Sequence, residues 1–195
     1  MRIMTAMTAI AASLALAACD QPAADRTTDG RADGSPVPVA PPEEAVPPLS
    51  AQAFANTLAA GDAFEIAASR FAADRAPTPS VKAFAQKMVD AHTASTDRLK
   101  KDAAALTPAI KPDPTLSAEQ QQKLDALKKL TGTAFEQAYI ADQVAAHEAA
   151  LGIVRTYAAN GDVPELKRFA ADAVKMVSEH LAEARRLATP TAGAI

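Results

Sequence analysis

The 195-residue chain has one cysteine, no tryptophan, two tyrosines and six phenylalanines. A single cysteine excludes an internal disulfide, so burial of a core must hold the folded part together. Aromatic residues are 4% of the chain, and 20 Lys and Arg stand against 23 Asp and Glu. The stacking platforms and phosphate-neutralising clusters of a nucleic-acid binder are therefore missing, and no nucleic-acid partner is expected. The sequence also has no phosphate loop, dinucleotide fingerprint or nucleophile motif. No stretch alternates as a strand does, and the apolar spacing is helical throughout. No apolar run reaches the roughly 20 residues of an ordinary transmembrane helix.

What is present begins with "MRIMTAMTAIAASLALAACD". One arginine precedes an apolar run from Ile3 to Leu16, and small residues lead to Cys19, the pattern of a secretory signal. Leu16-Ala17-Ala18-Cys19 also resembles the bacterial lipobox, in which cleavage leaves the cysteine as the first mature residue and that cysteine is lipidated. Residues 1–18 are thus expected to be a signal peptide and Cys19 a lipid attachment point. Acyl chains hold a protein at about 0.8 kcal/mol per buried CH2. The expected partner is therefore a membrane, inner or outer, reached through the lipid from the periplasmic side. Losing the signal removes Arg2, leaving 19 basic against 23 acidic residues, a net charge of −4.

From 19 to 49 the chain is rich in Pro, Asp, Gly and Ala and has almost no large apolar residues. Such a segment buries too little to offset its chain entropy and reads as an extended, disordered tether. From 50 to 188 the composition turns to Ala, Leu, Val, Phe, Glu and Lys, one domain by length. A first helix is expected from about Ser50 to Arg75, ended by Pro77 and Pro79. A second opens at Pro79 with Thr78 as N-cap and runs to about Leu106. Ser117–Gln120 is a capping box for a short helix to about Leu130. Thr133–Glu136 reads as a second capping box, opening a helix that stops at Asn160-Gly161. The last helix starts near Asp162, takes Pro164 into its first turn and fades by Leu187, leaving 189–195 as a frayed tail.

The segment "FAADRAPTPSVKAFA" (71–85) matches "YAANGDVPELKRFA" (157–170) with one gap, pairing Phe71 with Tyr157, Pro79 with Pro164, Lys82 with Lys167 and Phe84 with Phe169. Two similar helical hairpins joined by a long crossover, about Thr107 to Gly132, describe an all-α, ferritin-like antiparallel four-helix bundle whose crossover carries a short extra helix.

The chain has three histidines. His92 lies on the stripe Val81, Phe84, Met88, His92, Ser95, Leu99. His147 lies on Ile140, Val144, His147, Leu151, Val154, and His180 on Leu166, Phe169, Ala173, Val177, His180, Ala184. All three sit on core-facing stripes near the middle of their helices, so in an antiparallel bundle they meet at one depth. The first helix offers Glu65 at its own middle. Asp90, Asp142, Glu148 and Glu179 are close in sequence and are candidates to orient the imidazoles. Buried imidazoles need partners. Two solutions exist: a His3Glu site of Glu65, His92, His147 and His180 for one divalent transition ion (Zn, Mn, Fe or Cu), or a metal-free polar network. A di-iron centre needs Glu-x-x-His on two helices. Here Val89 and Val177 stand three before His92 and His180, which argues against one.

The stretches "FEIAASRFA", "PSVKAFAQKMVDAH", "FEQAYIADQVAAHEAAL" and "PELKRFAADAVKMVSEHL" resemble the domain of unknown function family 4142, exported bacterial proteins of the ferritin-like superfamily. The resemblance spans about Ser50 to Leu187. It implies an envelope bundle with recurrent polar positions at Glu65, His92, His147 and His180, and it implies no established activity. The family's Phe-Asp before a tyrosine is Phe135-Glu136 here. The leading expectation is an envelope lipoprotein that binds a metal ion or small ligand. The alternatives are a structural or stress-related protein with a metal-free network and, by superfamily analogy alone, a metal-dependent oxidase.

Overall fold

The computed structural model describes residues 49–189; the expected signal peptide, Cys19, nearly all of the expected tether and most of the expected tail lie outside the described residues. Five helices follow one another: α1 (Ala51–Arg75), α2 (Pro79–Ala104), α3 (Ala118–Lys128), α4 (Gly132–Asn160) and α5 (Pro164–Ala188). Ser50 caps α1 through its side chain, and Ser117 and Gln120 form the expected capping box at α3. The related turns open alike, with Pro79 and Pro164 each the first residue of its helix. Proline there loses no hydrogen bond, because the first-turn N–H groups have no partner within the helix.

The core falls into two clusters, which give the topology. One gathers Phe54, Ala55 and Ala59 of α1 with Leu99 of α2, Val154 and Tyr157 of α4, and Leu166 and Phe169 of α5. The other gathers Phe64, Ala68 and Ala72 with Val81, Phe84 and Met88, Phe135, Tyr139 and Ile140, and Ala184. The start of α1 thus meets the end of α2, and the end of α4 meets the start of α5. The four long helices run antiparallel, α1 beside α2 and α4, and α5 beside α4 and α2. The crossover returns along the length of the bundle, and α3 sets Leu124 and Leu127 into the second cluster. Among the described residues, no helix is long and apolar enough to cross a membrane.

One expected cap does not form. α4 begins earlier than Thr133, at Gly132, whose φ of 58° is open to glycine without strain, and its N-cap Thr131 makes no side-chain bond. Glu136 serves another helix: its Oε2 accepts the Thr78 backbone N–H at 2.9 Å and its Oε1 the Thr78 hydroxyl at 2.6 Å. The carboxylate thereby sits at the positive end of α2 and ties the two hairpins together. Glu136→Ala is expected to lower unfolding stability by about 1 kcal/mol, the size of a lost cap, read in urea denaturation.

Candidate metal centre

Between the two apolar clusters lies a polar layer. In each long helix the cluster residues run out and then resume on the far side of a buried polar group: Asp62 and Glu65 in α1, His92 in α2, Gln143 and His147 in α4, His180 in α5. Each falls on a core-facing stripe because it keeps the three-or-four-residue step of its apolar neighbours. None of the three histidines is more than 5% exposed.

The imidazoles form a nearly equilateral triangle, with ring centroids 5.5 Å (His92–His147), 5.6 Å (His92–His180) and 5.5 Å (His147–His180) apart. One ring nitrogen of each lies within 4.8 Å of the others'. Each ring also has one buried nitrogen with no hydrogen-bond partner: Nε2 of His92, Nε2 of His147 and Nδ1 of His180. Three nitrogens sharing an ion at about 2.0–2.1 Å would stand roughly 3.3 Å apart, so the rings would have to close by up to about 1.5 Å to share one.

The opposite nitrogen orients two of the three rings, those of His92 and His147. His92 Nδ1 lies 2.7 Å from Asp62 Oδ1, and Asp62 Oδ2 accepts the Thr96 hydroxyl at 3.1 Å. His147 Nδ1 lies 2.8 Å from the carbonyl oxygen of Gln143. A carbonyl only accepts, so Nδ1 carries the proton and Nε2 presents a lone pair. Carboxylate or carbonyl behind an imidazole is the usual support of a metal-ligating histidine.

Glu65 is buried, and its Oε2 accepts from the Gln143 amide while Oε1 has no partner. It stands beside the triangle and is not one of the three groups whose donor atoms converge. The four carboxylates expected to orient the rings do not. Asp90 is exposed and bonds Gln86, Glu148 is exposed and pairs with Arg185 at 2.7 Å, Glu179 is exposed, and Asp142 is half-buried near Lys123 and Glu119. They are one, two or five residues from a histidine, and such offsets do not share a helix face. Asp62, on a neighbouring helix, takes the role, and Gln143 adds a carbonyl one turn before His147.

The electrostatics separate the histidines. Burial lowers the His147 pKa to about 4 and that of His180 to about 3, with the nearby His92 charge adding to both. Burial also opposes protonation of His92, but the Asp62 hydrogen bond and the charges of Glu65 and Asp62 outweigh it and raise its pKa. Burial raises Glu65 to about 7 against the pull of His92. His92, paired with Asp62, thus holds a proton more readily than either of the two imidazoles it faces.

Stability follows with a defined sign. His147 and His180 bind protons more weakly folded than unfolded, so stability is present above pH 6.5 and falls as pH drops toward about 4 and about 3. Glu65 acts oppositely between pH 4.5 and about 7. His92, whose raised pKa opposes them only near pH 6.5, and Glu65 leave the two lowered histidines a net loss on acidification, of about 1 kcal/mol per pH unit toward pH 4.5 in metal-free protein. Urea melts across that window check it, and a flat profile would contradict the assignment.

No curated protein matches the chain. Among solved structures, CopM in the Cu(II)-bound form has a similar fold, with a TM-score of 0.63 over 72% of this chain and 97% of that one, at 16% identity. The family described as Domain of unknown function (DUF4142) matches residues 36–187, all but the last residue of the bundle. The chain belongs to the DUF4142 family.

Proposed function

We propose that this protein is an envelope metal-binding protein that holds one divalent transition ion, Cu(II) before Zn, Mn or Fe, on His92, His147 and His180. The observation that carries the reading is the triangle of buried ring nitrogens that no protein group satisfies. Imidazole suits copper, and Cu(II) heads the affinity order of divalent first-row ions. The fold likeness to a protein seen in a Cu(II)-bound form supports the same choice. Glu65, with its free Oε1 beside the triangle, is the candidate fourth ligand or an acceptor for water on the ion. Elemental analysis of untagged protein, with thermal melts before and after chelator, tests the reading. Bound copper and a melt that falls on chelation are expected; no bound metal and no shift on adding Cu, Zn, Mn or Fe would sink it.

Binding must displace the Nε2 proton of His92, whose Nδ1 stays with Asp62. Affinity should therefore rise with pH through the raised His92 pKa, with proton release measurable by calorimetry in buffers of different ionisation enthalpy.

Export and anchoring rest on the N-terminal sequence. A lipid at Cys19 would hold the bundle on the periplasmic face of the inner or outer membrane, with residues 20–49 as tether. Cys19→Ala should move the protein from the membrane to the soluble fraction, and unchanged membrane association would rule out lipidation.

A further inference from the structure

A cleft of about 660 Å³ opens between α1 and α4 beside the crossover and reaches the polar layer. Its α1 and α4 walls are largely apolar and small, with Leu58 and Gly61 on one side and Ala146 and Ala150 on the other, and its crossover side is polar, with Glu119 and Lys123. Its inner end is lined by Glu65, His92 and His147, each buried and each with an atom lacking any partner: Oε1, Nε2 and Nε2. Gly61 sits mid-helix in α1, where glycine is a poor helix former, and a Cβ built on it meets nothing within 4 Å. Neither packing nor backbone conformation calls for glycine there; what it leaves is open cleft.

We propose that this cleft binds a small molecule with an apolar body and one hydroxyl, the O–H donating to Glu65 Oε1 and the body lying along the Ala146–Ala150 wall. A hydroxyl fits because it donates and accepts at once. The carboxylate oxygen accepts its hydrogen bond, and its lone pairs remain for an imidazole N–H or for an ion on the triangle. A molecule without the donor leaves Glu65 Oε1 as it is, buried and unpaired, which is where a polar site discriminates most. The binding goes beyond the metal reading, because it needs Glu65 and the cleft and not the ion.

The test uses the metal-free full chain with phenol as probe, anisole as the same body without the donor, and calorimetry or ligand-detected NMR as readout. Phenol should bind, and anisole at least about 10-fold more weakly. Gly61→Phe should abolish phenol binding while the melting temperature and copper uptake stay at or above those of the parent. Gly61→Leu, a smaller plug, should weaken phenol binding at least about 10-fold and covers the case in which the phenylalanine variant misfolds. No phenol binding, equal affinity for anisole, or binding untouched by both Gly61 variants would overturn the proposal. Copper uptake measured on the same samples separates its failure from failure of the metal reading.

Discussion

Replacing His147 by alanine is expected to weaken Cu(II) binding by about 100-fold or more, measured by competition with a chelator of known affinity. His147 is the ligand best prepared for an ion. Its Nδ1 lies 2.8 Å from the Gln143 carbonyl, which fixes the ring and leaves Nε2 as a buried lone pair with no partner. Its pKa of about 4 keeps it neutral at physiological pH, so no proton competes with the metal there. Loss of a supporting group alone costs about 10–100-fold in affinity, and loss of the ligand should exceed that. The metal-free fold should suffer less than a usual core truncation, because the substitution also removes an unsatisfied buried nitrogen. Glu148→Ala is the control: the neighbouring residue is exposed and paired with Arg185, and its loss should leave affinity unchanged. Equal affinity in the His147 and Glu148 variants would place the ion elsewhere.

The bundle was legible in the sequence because most helix boundaries carry a local signal, though the start of α4 and the end of α5 do not. Pro79 and Pro164 sit at matched offsets in the two hairpins, and both open their helices in the structure. The level of the histidines was legible for a related reason. Each interrupts an apolar stripe near mid-helix, and antiparallel packing brings midpoints together. The partners of those histidines were not. Asp62 meets His92 across 30 residues of sequence, and its own signal, one turn before Glu65 on the same face, shows burial and not a destination. Sequence proximity drew attention to Asp90, Asp142, Glu148 and Glu179, whose offsets turn them off the histidine face. Glu136 shows the same limit at a helix end. Its spacing from Thr133 matches a local capping box, yet the nearer unsatisfied donor belongs to Thr78 on another helix. Local rules identify which groups need a partner, and tertiary packing decides which partner they find.

Asp62 carries the other large expected effect, and two substitutions divide its roles. Asp62→Ala should cost about 3 kcal/mol in metal-free protein near pH 6, the scale for removing one member of a buried ion pair. The pH dependence has a sign. His92 holds its proton more tightly folded than unfolded, so the pair's contribution is fully present below pH 6.5 and is lost as pH rises through the raised folded pKa. The variant's deficit should therefore shrink as pH rises above 6.5, read by urea denaturation at each pH. The hydrogen bond is a separate matter from the charge. Asp62→Asn removes the charge but keeps an oxygen that can accept from His92 Nδ1, now 2.7 Å from the carboxylate. Copper affinity should fall about 10–100-fold in Asp62→Ala, where the ring loses its support, and distinctly less in Asp62→Asn. Equal losses of affinity in the two variants would mean that Asp62 acts on the site through its charge alone and not by holding the ring with Nε2 toward the triangle.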